Sequence, residues 1–456
     1  MSELDEIEAL LKKGEKEKAF ELIKDKDTNS LAKGLIERGS SLIENEEYDL
    51  AITYFKFSEE IAIDKDIKET ARIHLTDAYY NRGTAYAEKG DFDRAIEDFD
   101  KVLELNPEDA AAYFNRGTAH SALNQHEKAI ENYNKAIELD PNLAMAYNNR
   151  GLAYYSLNKH DEAMAEYNKA IELDQNLALA YNNRALGYYS LNKHDEAIAE
   201  YNKAIELDPN LAMAYNNRGL AYYSLNKHDE AMADYNKAIE LDQNFDIAHA
   251  NLGNLLYMTE DYDNAEKEYR EAINLNKNHD YAHNGLGLAL SKRKAYKNAI
   301  AEFKKALELN EDADFYNNLG CAYAEYGKGS AIATFRIFNA KKELRKATQE
   351  KNTYIEAHKN LTHVGDLLNY ELKIFLLRIF VILFVFALSI NLFEPITINR
   401  LILILTGVAT LGIVLFSLDF TKIEIKSLKI AGVVEAEFYY EKPKAGEKAV
   451  QFAKPK

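Results

Sequence analysis

The chain has a single cysteine, Cys321, among its 456 residues. It therefore forms no intrachain disulfide, and one thiol alone holds no metal ion. Cys321 falls on a small-residue position of a helical pattern, where core packing is expected. Excess positive charge is missing too: 56 Lys and Arg stand against 74 Asp and Glu, a formal charge of −18. That argues against nucleic acid as a main partner, because phosphate binding needs a basic surface. It favours solubility and neutral or basic ligands. The opening stretch, MSELDEIEALLKKG, is acidic and has no apolar run, so no signal peptide is expected there. The chain carries no P-loop, no GxSxG elbow, no HExxH and no Cys/His cluster, the arrangements that would announce phosphate, acyl-transfer or metal chemistry. Neither catalysis nor a cofactor or metal is expected.

What the sequence has instead is repetition. Ala144–Leu177 reads AMAYNNRGLAYYSLNKHDEAMAEYNKAIELDQNL, and it returns at Ala212–Phe245 with only Asp234 for Glu166 and Phe245 for Leu177. A near-copy lies between them at Ala178–Leu211. A period of 34 residues is too long for a helix, a strand or a heptad, and marks a solenoid of stacked supersecondary units. Each unit holds two helical patterns, one through Tyr147, Gly151, Tyr154 and Tyr155, the other through Ala163, Tyr167, Ala170 and Ile171. Between them Asn158 suits the left-handed conformation that ends a helix, and Asp161 suits the start of the next. Gly151, Ala163 and Ala170 let backbones approach while Tyr147, Tyr154 and Tyr167 fill the seams.

At Tyr181, Ala185, Tyr188, Ala197, Tyr201, Ala204 and Pro209 the chain resembles the tetratricopeptide repeat (TPR) family, with Ala185 where the family has glycine. Tyr stands for the usual Trp, Gln175 and Gln243 replace proline, and Arg150, Arg184 and Arg218 occupy an apolar position. The resemblance implies an all-α fold, a right-handed solenoid of about ten repeats. Residues 1–75 read as irregular repeats, with a polar capping pair at 1–31 and a unit at Ala32–Leu75 whose ten extra residues, IAIDKDIKET, are expected to lengthen its second helix. Residues 76–312 form the regular array, starting at Thr76, Ala110, Ala144, Ala178, Ala212, Asp246 and Asp280. Residues 313–373 hold an irregular last repeat, interrupted around Gly327–Phe338 and resumed at Ala340, Leu344 and Ala347, then a capping helix near Ile355–Leu368.

Composition changes sharply after that. Residues 374–393 are apolar except for Arg378, Ser389 and Asn391, and residues 401–418 carry no charge. Each is long enough for a membrane span, and the short link makes 374–418 a transmembrane hairpin. Lys359, Lys373 and Arg378 precede it and Lys422, Lys426 and Lys429 follow it, against Arg400 alone in the link, which places repeats and tail in the cytoplasm. The protein is thus expected to be integral to a membrane, the cell membrane in a prokaryote. In the tail, 419–456, alternation through Ile423, Ile425, Leu428 and Ile430, then Val433, Val434, Phe438 and Tyr439, predicts two short strands ahead of a disordered end.

One position of the first helix repeats as asparagine: Asn81, Asn115, Asn149, Asn183, Asn217, Asn251 and Asn318, broken by Gly285. In TPR proteins the first helices line the concave surface, so the resemblance implies amides that hold an extended peptide by its backbone, or that pair between helices. Tyr155, Tyr189, Tyr223 and Tyr257 are expected on the same face as flat apolar contacts. The basic clamp by which some TPR domains hold acidic tails is not reproduced, since Met145, Asn148 and Asn149 stand at its positions. His160, His194 and His228 read as turn-filling aromatics. Arg82, Arg116, Arg150, Arg184 and Arg218 read as packing residues paired with acids. The functional expectation is a membrane-anchored scaffold or adaptor binding proteins or extended peptides on its concave face. The alternatives are a receptor assisting membrane-protein assembly, or a structural homo-oligomer packed through Thr406, Gly407, Thr410 and Gly412.

Overall fold

A computed structural model of the chain describes residues 3–327, 333–350, 357–367, 373, 423–429 and 435–440. Two compact units divide it, Met1–Leu241 and Asp242–Lys456. The first consists of helix pairs from Glu3–Lys12 to His228–Leu241, and the second of helices from Asp246–Met258 to Ala333–Glu350 with a further helix at 357–367.

The turn within each repeat follows from one residue. Asn124, Asn158, Asn192 and Asn226 all take φ between 57° and 59°, a region asparagine tolerates better than most residues. At Asn158 the reversal lets its N–H bond Tyr155 O and the Lys159 N–H bond Tyr154 O, both at 2.9 Å. Those bonds satisfy the last carbonyls of helix Ala144–Ser156. Helix His160–Leu173 can then fold back at once.

Tyrosine and small residues close the pair. Tyr133, Tyr167, Tyr201, Tyr235 and Tyr269 are fully buried in the second helices. A side chain at Gly151 would put its Cβ 2.7 Å from Tyr167 Cε1, which explains a residue without one. Ala185, at the equivalent place against Tyr201, is the one Cβ the array accepts there, and it is wholly buried. Within each unit the second helices also pack on the first helix of the next repeat, so no pair buries its core alone.

One expectation is corrected. The ten extra residues after Ile61 do not lengthen the second helix of the irregular unit, Tyr48–Ile61. They extend the first helix of the next repeat, which runs over Lys65–Glu88. Asp64 decides this: its carboxylate accepts the N–H groups of Asp66 and Ile67, an N-cap that starts a helix rather than continuing one. The irregular last repeat has helices Ala313–Gly327 and Ala333–Glu350, with Ala340, Leu344 and Ala347 fully buried as the repeat offsets require.

In the tail, strands Ile423–Lys429 and Glu435–Tyr440 pair antiparallel, Ile423 opposite Tyr440 and Lys429 opposite Glu435, with an irregularity between Ile425 and Ser427. The expected spans at 374–393 and 401–418 lie outside the described residues. Among the described residues no helix is long and apolar enough to cross a membrane.

Candidate functional site: the face of the first helices

In the first unit, first helices meet first helices: Ala110–Ala122 touches Ala144–Ser156, which touches Ala178–Ser190, which touches Ala212–Ser224. Second helices contact the following first helix instead. The first helices therefore form one continuous face of the unit, and the asparagines run along it.

Those amides are tied to one another. Asn183 Nδ2 donates to Asn148 Oδ1 at 3.0 Å, and Asn217 Nδ2 donates to Asn182 Oδ1 at 3.2 Å, each linking one repeat to the next. Within a repeat, Asn148, Asn182 and Asn216 donate to Asn149, Asn183 and Asn217 at 3.0, 3.1 and 3.2 Å. A chain of five amide bonds thus runs from Asn149 to Asn216. The expected row is half of a double row, and its partners Asn148, Asn182 and Asn216 are almost wholly buried. The recurring doublet Asn-Asn was the signal for them.

Asn183 is itself buried, whereas Asn149 and Asn217 are partly exposed. Beyond the ladder the Asn217 amide keeps one N–H and one lone pair, and the Asn149 amide, which ends the ladder, both N–H groups and one lone pair. Asn115 departs from the pattern and donates to the Tyr80 hydroxyl at 2.8 Å. Asn81 and Asn251 are partly buried in their helices. In the second unit Asn318 donates to Asn284 Oδ1 at 3.0 Å. Asn284 is the counterpart of Asn148 and Asn182, so this bond repeats the ladder's inter-repeat link, while at the neighbouring expected position a Cβ on Gly285 would lie 2.3 Å from Tyr269 Cε1.

The tyrosine row is partly exposed throughout. Each ring leans on the aromatic residue that starts the second helix. Tyr155 meets His160 and Tyr189 meets His194 at 5.1 Å between centroids, Tyr223 meets His228 at 5.9 Å, and in the second unit Tyr257 meets Tyr262 at 5.5 Å. The histidines therefore fill the turns, as expected, and support the tyrosines from behind. Burial pushes the Tyr223 and Tyr257 phenols up, so they are neutral donors at ordinary pH. Each presents a flat ring edge and a hydroxyl, and the Tyr189 hydroxyl reaches Ser224 Oγ of the next repeat at 3.0 Å.

The arginines turn away from this chemistry. Arg184 pairs with Glu200 of its own repeat at 2.6 Å and with Asn168 Oδ1 of the preceding one at 2.9 Å. Arg150 and Arg218 repeat the arrangement with Glu166 and Asn134, and with Asp234 and Asn202. Arg116 joins Asn132 and Asp100, and Arg82 joins Asp98 and Asp49. Each guanidinium also lies over a tyrosine one turn earlier, as Arg184 does over Tyr181 at 5.3 Å. In the second unit Leu252 and Leu286 take the arginine position, while the acid remains and is met by histidine. His249 bonds Glu268 and His283 bonds Glu302, both at 2.7 Å. The His283 hydrogen bond holds the Glu302 carboxyl below its usual range. Cys321 is not a core residue: it is only partly buried, one residue past Gly320, which makes the tight approach to Leu344.

Comparison with known proteins agrees with this architecture. Models described as TPR repeat or tetratricopeptide repeat match residues 151–189, 186–226 and 219–260, residues 80–144 and 250–327, and residues 132–165. The curated proteins give no match. Among solved structures, the APC/C hetero-tetramer Cut9-Hcn1 is similar at 17% identity over 79% of this chain and 83% of that chain, with a TM-score of 0.53. MamA is similar at 34% identity over 35% of this chain and 94% of its own, with a TM-score of 0.31. YrrB, a TPR protein with an unusual peptide-binding site, is similar at 27% identity over 43% of this chain and 97% of its own, also at 0.31. The family models run without a gap from residue 80 to residue 327, more than half of the sequence. With the helix pairs, turn asparagines and glycine–tyrosine contacts found in the structure, this chain belongs to the tetratricopeptide repeat family, whose fold is of the protein-binding scaffold type.

Proposed function

We propose that the protein is a membrane-tethered scaffold that binds an extended segment of a partner protein along the face of its first helices, without chemistry of its own. The observation that supports this most is the partly exposed row Tyr155, Tyr189, Tyr223, one ring per repeat, each backed by a turn histidine. The ladder's first task is to keep neighbouring first helices in register. The N–H groups and lone pairs that Asn149 and Asn217 keep beyond the ladder then meet a peptide backbone, and the tyrosines contact its side chains. The tether rests on the two uncharged or nearly uncharged segments at 374–393 and 401–418 and on the lysines flanking them, which favour repeats and tail in the cytoplasm.

Selection of random twelve-residue peptides on the full chain in detergent tests the binding face. Peptides should be retained, and replacing Tyr155, Tyr189 and Tyr223 together by alanine should lower their affinity at least tenfold. Each aromatic contact is worth roughly 0.5–1.5 kcal/mol, and partly exposed rings cost little stability to remove. Unchanged retention by the triple variant would exclude this face. The tether is tested by alkaline extraction of membranes: the full chain should stay in the pellet, and a chain lacking 374–418 should not.

A further inference from the structure

The tyrosine row stops after Tyr257. At the same position the next two repeats carry Ser291 and Ala324. Where Tyr257 leans on Tyr262, the corresponding Tyr296 faces a serine. A cavity of about 410 Å³ opens at this place, with Tyr257, Tyr296, Ser291 and Asn318 in its lining. That volume is in the range of sites that enclose small ligands. Its walls offer aromatic faces. Ser291 lines it with a side chain far smaller than a tyrosine ring, and its Oγ is buried with no hydrogen-bond partner among the described residues. At the rim stand the exposed Lys292 and Lys294 against one glutamate, Glu325. A local excess of positive charge is unusual on a chain of formal charge −18.

We infer that this cavity is a specificity pocket for an aromatic side chain of the bound peptide, with an acidic residue beside it in the ligand. The ligand's ring takes the place against Tyr296 that Tyr257 takes against Tyr262 in the preceding repeat. Lys292 and Lys294 attract the neighbouring carboxylate. The inference deepens the reading that this face binds peptides, and rests on it.

The decisive variant is Ser291→Tyr, because it installs the residue that the repeats of Tyr155, Tyr189, Tyr223 and Tyr257 already accommodate, and so fills the cavity without breaking the fold. The probes are a random twelve-residue peptide library and N-acetyl-L-tyrosinamide, both with the full chain in detergent. Retained peptides should be enriched in Phe, Tyr or Trp next to Asp or Glu. Ser291→Tyr should erase that enrichment and weaken aromatic peptides at least tenfold, with helicity and melting temperature unchanged. Lys292→Glu combined with Lys294→Glu should keep the aromatic preference and reverse that for the flanking charge. Peptides retained without aromatic preference, or bound equally well by Ser291→Tyr, would overturn the pocket while leaving the binding face intact. Binding of N-acetyl-L-tyrosinamide that Ser291→Tyr abolishes, with no peptide retained, would support the pocket and overturn the peptide reading. Binding of neither probe would overturn both.

Discussion

Ala197→Asp should collapse the repeat that carries it. Ala197 is wholly buried in helix His194–Leu207, among Ala185, Tyr201 and Ala221. A carboxylate placed there enters a cluster made of alanine, isoleucine, leucine and tyrosine side chains. Burying an unpaired charge costs several kcal/mol, or forces the group to take up a proton. Either way the helix pair and its contact with Ala221 of the next repeat open. Thermal unfolding of the full chain should show the loss as a transition lowered by many degrees. Hydrogen exchange should localise the fast amides to residues 178–224, because repeats couple mainly to their neighbours. A variant that melts with the parent would show that the packing face of this helix is misassigned.

Tyr201→Ala should be nearly as damaging for the opposite reason. Its ring is 1% exposed and fills the seam that Ala185 and Ala197 leave open. Truncation deletes the ring and leaves a cavity that rigid helices cannot close, a loss of about 3–5 kcal/mol for a large aromatic. Tyr201→Phe removes only the hydroxyl and should cost far less. The comparison of the two by thermal melting separates ring volume from hydrogen bonding. Equal losses would assign the stability to the hydroxyl.

Much of this was legible in the residues because a repeat tests every position several times. Asn158, Asn192 and Asn226 recur where a left-handed residue is required, and each has φ near 58°. Gly151 and Tyr167 keep one spacing because the glycine's missing Cβ is where the tyrosine ring lies. Arg82, Arg150, Arg184 and Arg218 could be separated from the binding face by the acid sixteen residues on, a place that Asn132 takes for Arg116. Other features were not legible, for physical reasons that can be named. An insertion between two helices does not say which helix it lengthens; the capping carboxylate of Asp64 does. Periodicity places Asn149, Asn183 and Asn217 on the first-helix face. It does not reveal that Asn148, Asn182 and Asn216 turn back to bond them, because that depends on the approach of neighbouring helices. The pocket at Ser291 is an absence in a row, visible only once the row has been shown to be made of contacting rings.

The central claim is that partners are read by the first helices and not by the second. Photo-cross-linking in cells that express the full chain tests it most directly, with p-benzoylphenylalanine placed at Tyr189 on the first-helix face or at Lys203 in helix His194–Leu207. The account predicts a cross-linked partner from position 189, none from 203, and loss of the product when Tyr155 and Tyr223 are both alanine. A product from position 203 with none from 189 would contradict it.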